Sequence, residues 1–406
     1  MKVIIFTQAY NAQNTLKRTI KSVLSQTYTN WVWYIVDNGS NDATGGIVQE
    51  YASRDSRIIP LKNEQNNVWK TGNGITEIIS EHFDSDYVCW IDADDTYKPD
   101  FLKKLTDYAM ENELDLVASG NDFIDAKTDT VVGVRVLNHH LVIENEGFSK
   151  YFTLYHQFTR TYWAKIFSVS VLRRYESQRV PAVSYGWDTL FTQEMFRNVK
   201  RAGILAESLY EYYVSPKSVS YHWDSKRIAS DRILHKMAHD FLVEKCGTVI
   251  PRNEEFLLIV YMKAIKDTLN VLLNAKISEN EKLTGILDIF SHEYTKQLAA
   301  REQLGLLLGN VMFSGMRRQL FADISEWLLA RQEVQDELVE QFCNVGEFVC
   351  AAAEYADGWI FFQKLRVSFL IDQERKDEAQ VKLIELEELL PNDGEILAFR
   401  ETLSQI

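Results

Sequence analysis

The chain has 406 residues, 46% of them hydrophobic and 25% charged, with a formal net charge of −14. That length predicts roughly two to three domains of ordinary globular composition. The negative balance excludes a general nucleic-acid binder, which needs a basic surface against phosphates, and a broad basic membrane-binding face.

The N-terminus offers only Val3 to Phe6 as an apolar run, which reads as a strand and not as a signal-peptide core. No run of about 18 apolar residues predicts a transmembrane helix. Cys89, Cys246, Cys343 and Cys350 form no Cys-x-x-Cys pair. Reduced thiols and a cytoplasmic location are expected, with peripheral membrane contact left open.

In chain order, Val3 to Phe6 predicts the first strand and Thr15 to Leu24 a helix with Leu16, Ile20, Val23 and Leu24 on one stripe. Trp31 to Val36 predicts a second strand, ending at Asp37-Asn38-Gly39-Ser40. A helix around Ile47 to Tyr51, a short strand from Arg57 to Leu61 and a helix from Gly74 to His82 follow. Tyr87 to Ile91 reads as a buried strand, then comes a helix near Asp100 to Glu111 and a strand from Leu114 to Ser119. Such alternation implies parallel strands joined by right-handed crossovers.

Residues 120 to about 225 are more irregular. Their aromatics cluster from Tyr151 to Trp163, which suits a carbohydrate platform or core packing. His139-His140 reads as loop. From about Ile228 helical periodicity takes over, and His235 and His239 read as a helix-surface pair. Ala379, Leu383, Leu386 and Leu390 form a helical stripe that Pro391-Asn392-Asp393-Gly394 ends. The hairpin near 358–406 is similar to one tetratricopeptide-like unit; without a second copy, plain helical packing is expected. The domain expectation is therefore residues 1–227 and an α-helical 228–406.

The strand at Tyr87 to Ile91 runs straight into Asp92-Ala93-Asp94-Asp95. In open α/β sheets, ligands bind outside the carboxyl ends of strands. Carboxylates crowded there repel one another unless a cation sits between them. A hard divalent ion holding a diphosphate accounts for the arrangement.

Four ordered segments carry a resemblance: Val-Ile-Ile-Phe-Thr-Gln-Ala-Tyr-Asn from Val3 to Asn11, Ser22-Val23-Leu24-Ser25-Gln26-Thr27-Tyr28, Tyr34 to Thr44 with its Asp37-Asn38-Gly39-Ser40-Asn41-Asp42 core, and Asp92-Ala93-Asp94-Asp95. Together they resemble the family 2 glycosyltransferases, across residues 1 to about 120 and again over 160–225. The resemblance implies an α/β fold of the GT-A type (Rossmann-like, nucleotide-diphospho-sugar transferase) followed by an all-α C-terminal domain. It also implies metal-dependent, inverting transfer of a sugar from a nucleotide-sugar donor, UDP-linked, to a hydroxyl acceptor in surface-glycan or glycoconjugate synthesis.

On that resemblance Thr7, Ala9, Tyr10, Asp37, Asn73 and Asp92 bind the nucleotide. Asp94 holds Mn²⁺ or Mg²⁺, with Asp92 and His222 as further ligands. Asp188 is the general base, and Trp187, Tyr185 and Trp163 face the acceptor. Trp187 departs from the family, which has Glu there. The resemblance also makes Lys217, Lys226 and Arg227 candidates to touch the diphosphate. Local readings stand beside these: an Asx-turn for Asp37, a turn cap for Asp95, a helix N-cap for Asp188, and a solvated loop for His222, Lys217, Lys226 and Arg227. Thr71-Gly72-Asn73-Gly74 lacks the third glycine of a dinucleotide fingerprint. The expected partners are the donor and a glycan, lipid-linked or protein acceptor, without nucleic acid, and a homo-oligomer where the helical domain leaves an apolar face exposed. The departures at Trp187 and Asn38 motivate a competing reading, a non-catalytic nucleotide- or glycan-binding protein whose helical domain mediates protein interaction.

Overall fold

The computed structural model describes residues 1–66, 86–176, 179–214, 222–313, 336–352, 354 and 356–405. The chain divides into two compact units, residues 1–219 with 236–254 and residues 220–235 with 255–406.

The first unit is built on β1 (Val3–Ala9), α1 (Leu16–Leu24), β2 (Trp31–Asn38), α2 (Thr44–Ala52), β3 (Ile58–Asn63), β4 (Tyr87–Trp90), β5 (Thr96–Tyr97), α3 (Phe101–Asn112), β6 (Leu116–Asp125), β7 (Thr130–Arg135), β8 (Leu141–Glu144), β9 (Lys165–Ser168), α4 (Trp187–Arg197) and β10 (Arg201–Val214). The helix expected at Gly74 to His82 lies outside the described residues. One sheet runs in the order β3-β2-β1-β4-β9-β6-β10-β5, with β7 added on β6 and β8 on β10.

Local pattern explains the first half. β2 is buried at every position, as a strand covered on both faces must be. α1 turns Leu16, Thr19, Ile20 and Val23 inward at helical spacing. Leu16, Ile20 and Val23 share a core with Val3, Ile5, Trp33, Ile35, Cys89 and Phe101. β3, β2, β1 and β4 pair in parallel, as alternation predicts.

Beyond β4 the all-parallel expectation fails. β9 inserts antiparallel between β4 and β6, and β10 pairs antiparallel with β8 near its start and with β5 at Tyr210 and Glu211. These partners are far apart in sequence, so no local periodicity announces them. β6 and β10 pair in parallel with register shifts between Ile204 and Tyr210, which lets each of these long strands take different neighbours at its two ends.

The second unit is helical, without a strand among its described residues. α5 (Arg227–Cys246) and α6 (Pro251–Leu273) each contribute residues to both units, their residues 236–254 belonging to the first. Beyond them helices run over Glu279–Ser291, Glu293–Ala299, Glu302–Phe313, Asp336–Ala352, Ala356–Asp372, Lys376–Leu389 and Gly394–Gln405. Ser278 and Glu281 form a capping box at one start. A core of Ile265, Leu269, Ile286, Phe290, Phe342 and Phe362 joins the earlier helices. Ala379, Leu383 and Leu386 bury the predicted stripe against Val367 and Leu370, with Leu390 packed on its edge. All four cysteines are free. Among the described residues no helix is long and apolar enough to cross a membrane.

Candidate active site

The ends of β1 and β2 are sewn together by polar side chains. Ser40 Oγ accepts from the Asn11 N–H at 3.0 Å, Thr44 Oγ1 from Ala12 at 2.8 Å and Asp42 from Gln13 at 3.2 Å. Asn41 N–H donates back to Asn11 Oδ1 at 2.9 Å. Thr7 is buried; its hydroxyl donates to the Ile91 carbonyl at 2.8 Å and accepts from Trp33 Nε1 at 3.0 Å. It thereby ties β1 to the chain leaving β4. Ala9 is fully buried and offers the site its backbone alone, whereas Tyr10 is 45% exposed at the rim.

Asp37 is buried and closes an Asx-turn by accepting the Ser40 N–H at 3.0 Å, with Gly39 at φ +78°. A Cβ on Gly45 would stand 2.6 Å from the second Asp37 oxygen, so glycine there admits the carboxylate to the first turn of α2. Asn38 accepts from Asn63 Nδ2 and donates to Asn66 Oδ1, both at 2.8 Å. An ionised carboxylate at this position could accept but not donate, whereas the Asn38 amide does both. Asn73 lies outside the described residues.

The three aspartates after β4 have different environments. Asp92 accepts the Tyr162 hydroxyl at 2.6 Å. Burial, and then the charges of Asp94 and Asp188, push its carboxyl up to about 7. Asp94 is raised by burial too, against the pull of Arg18, yet it is the most exposed of the three. Its carbonyl accepts from Arg18 Nη2 at 2.6 Å, and the same guanidinium stands 3.3 Å from the centre of the Tyr213 ring. Asp95 is wholly buried and accepts the Tyr210 hydroxyl at 2.7 Å and the Tyr213 N–H at 2.9 Å. Asp95 therefore anchors the acidic loop to β10 and is not a local turn cap; its partners come from a strand more than a hundred residues later.

Asp188 lies in the first turn of α4, whose N-cap is Gly186 at φ +78°. The N-cap position that sequence suggested for Asp188 thus belongs to the glycine, the residue that tolerates a left-handed backbone. Burial pushes the Asp188 carboxyl up to about 6, against the Thr189 N–H and the charges of Arg160 and Lys165. Asp188 and Asp92 are both half-buried. An aromatic group fills the space beside them: Trp90 packs edge-on against Tyr162 at 6.2 Å and Phe191 at 5.3 Å, and Trp187 stacks on Phe191 at 5.2 Å.

Trp187 and Tyr185 are half-buried at this helix start. Trp163 is different. It is 5% exposed and stacks against Tyr210 and Tyr212, so it is a core residue with no face open to an acceptor. Phe152, Tyr155 and Phe158 are buried as well, which resolves that aromatic run as core. His140 Nδ1 accepts the Ala206 N–H, and His235 packs between Tyr261 and Tyr294.

Sequence reasoning missed Arg18 and Arg160, and took Tyr162 only as one of the Tyr151 to Trp163 aromatics, not as the partner of Asp92. None stands in a motif, and only the folded chain brings α1 and the segment before β9 to the acidic loop. Lys165 is 1% exposed and donates to the carbonyls of Thr161 and Trp163.

Asp92 and Asp94 fit a divalent cation. They are two hard oxygen donors held in mutual repulsion, and diphosphate oxygens would complete the shell. Among the described residues no three His, Cys, Asp or Glu side chains form a closed metal cluster. His222 is exposed and belongs to the second unit, where it lines a cavity of about 510 Å³ with Trp223, Asn270 and Asn274.

A family profile described as "Glycosyl transferase family 2" matches residues 4–175. This chain carries a family 2 glycosyltransferase domain. The glycosyltransferase domain is similar to Glycosyltransferase GlyA of Streptococcus pneumoniae serotype 4 (strain ATCC BAA-334 / TIGR4), 26% identical over 234 residues that span 55% of this chain and 32% of that protein. It is also similar to the Escherichia coli UDP-Glc:alpha-D-GlcNAc-diphosphoundecaprenol beta-1,3-glucosyltransferase WfgD, 29% identical over 131 residues, 32% of this chain and 49% of that protein. The chain thus spans less than two thirds of the length of such curated relatives. The crystal structure of S. aureus TarS 1-349 aligns over 97% of this chain and 93% of that one, with a TM-score of 0.46 and 16% identity.

Proposed function

We propose that the glycosyltransferase domain moves a sugar from a UDP-linked donor to a hydroxyl acceptor, with inversion at the anomeric carbon, in the assembly of a surface glycan or glycoconjugate. One observation carries this reading: Tyr162 donates to Asp92 at 2.6 Å and packs edge-on against Trp187 at 6.4 Å, so the acidic loop and the start of α4 stand side by side. The UDP assignment is supported by the UDP-Glc in the name of the E. coli relative.

In this mechanism Asp188 is the general base. Its carboxyl, raised to about 6, is ionised at neutral pH and basic enough to take the acceptor proton as the new bond forms. The Lys165 and Arg160 charges keep it from rising further. Asp94, with Asp92, would hold Mn²⁺ or Mg²⁺, which when bound neutralises the charge of the departing diphosphate. Arg18 positions the Asp94 backbone, and Asp95 fixes the loop to β10. Tyr10 and the loop held by Asp42 and Thr44 border the nucleoside, and Trp187 offers an indole to the acceptor sugar.

Calorimetric titration of UDP, GDP and dTDP, each with and without Mn²⁺, tests this. UDP binding that requires the metal is expected. Absence of binding by any of the three under either condition would overturn the donor site.

A further inference from the structure

A second charged feature lies at the other end of the sheet. A cavity of about 680 Å³ opens between the helical turn Gly147–Lys150, the end of α5 and the start of α6. Its lining includes Lys150, Lys245 and Arg252, and a single carboxylate, Glu146. This excess of cations stands out in a chain of net charge −14.

The three cations are not neutralised by acids among the described residues. Lys245 Nζ donates to the Val199 carbonyl and sits 4.5 Å from the centre of the Phe148 ring. Arg252 Nη2 donates to the Lys150 carbonyl at 2.6 Å. Lys150 Nζ stands 5.2 Å from the centre of the Tyr151 ring. Burial lowers the Lys245 ammonium from its ordinary range, and Asp115 opposes this without pairing to it; the Asp115 Oδ2 accepts from the Lys200 and Arg201 N–H groups at 2.6 and 3.1 Å. Carbonyls and ring faces satisfy geometry but leave net positive charge over the cavity. Ser149 and Thr248 add hydroxyl donors to the lining, and α6, whose first residue is Pro251, presents its N-terminus there.

We propose that this cavity binds a phosphate-bearing anion. Three cationic donors with two hydroxyls suit a group of several charged oxygens better than a single carboxylate, and the volume leaves room for an attached organic moiety. The site is separate from the sugar-donor cleft. β8 meets the start of β10 beside this cavity, through Arg201 and Glu144, whereas Asp95 is held at Tyr210 and Tyr213. That much strand amounts to about 30 Å. The phosphate can come from a soluble phosphoester or from a lipid headgroup.

The intact chain is titrated calorimetrically with glycerol 3-phosphate and co-sedimented with phosphatidylglycerol-containing or pure phosphatidylcholine vesicles. Saturable binding of glycerol 3-phosphate supports the site with a soluble source. Retention on phosphatidylglycerol vesicles alone supports it with a lipid source. In either arm, Lys150→Gln weakens binding about threefold to tenfold and Lys150→Glu more than about tenfold. Metal-dependent UDP binding is unchanged in both variants. Binding in neither arm, or binding that both Lys150 variants leave intact, overturns the proposal without touching the donor site.

Discussion

In the helical unit Lys364 bridges Asp393 and Glu395 at 2.8 and 3.0 Å, Arg366 meets Glu347 at 2.5 Å and Arg232 meets Asp288 at 2.8 Å. At the end of β4, by contrast, Asp92, Asp94 and Asp95 crowd together with no comparable ion pair among the described residues, and the charge of Asp188 adds to theirs at Asp92. Opposite charges in contact have already found their partners. Like charges held together by the fold store repulsion that a ligand, a proton or a cation relieves. A buried acid alone does not mark chemistry, however. Asp231 in the helical unit is pushed up to about 7 by burial, but it accepts the Thr268 hydroxyl at 2.6 Å within a closed helical packing. In the first unit Asp92, Asp94 and Asp188 are instead reached by solvent, and Tyr162 links the acidic loop to the start of α4 by bonding Asp92 and packing on Trp187.

The contrast can be broken most decisively at Asp188. Asp188→Asn is expected to lower transfer about a thousandfold while donor binding is kept, measured as turnover against calorimetric affinity. The same variant should gain on the order of 1 kcal/mol in urea unfolding at pH 7. The folded carboxyl, raised to about 6, is destabilising once pH rises through the interval between its unfolded value and 6. Equal loss of binding and turnover would sink the division between base and donor site.

Asp94→Ala should weaken metal-dependent UDP binding at least about a hundredfold in the same titration. Asp95→Ala tests whether neighbouring acids differ in kind. It leaves the Tyr210 hydroxyl and the Tyr213 N–H without their acceptor and should cost about 2–3 kcal/mol of stability by urea denaturation.

A pH profile sharpens the comparison further. Only ionised Asp188 can accept the proton, so kcat/KM should fall about tenfold per pH unit below about 6 and level off above it. A profile flat down to pH 5 would remove Asp188 as the base. The smallest effect belongs to the helical unit: Arg366→Met should cost only ~1 kcal/mol in urea unfolding, because a partly exposed pair gains little over its hydrated charges.

Among the described residues the sequence by itself determined β1 to β4 and α1 to α3, since β2 reads as a continuous apolar run buried throughout and α1 buries the stripe that its periodicity spells out. It also located the acid-rich strand end, the Asp188 segment and the helical character after Ile228. The tertiary structure decided which acids do which job. Asp95 looks like its neighbours in sequence, and only the arrival of β10 turns it into an anchor. Trp163 looks like an open aromatic until Tyr210 and Tyr212 cover it. Arg18 and Tyr162 carry no motif, and they matter because α1 and the segment before β9 end beside one loop. Periodicity records which face of an element is buried, a property of neighbours in sequence. Partnership between side chains a hundred residues apart depends on sheet order and register, which cooperative packing selects across the whole unit.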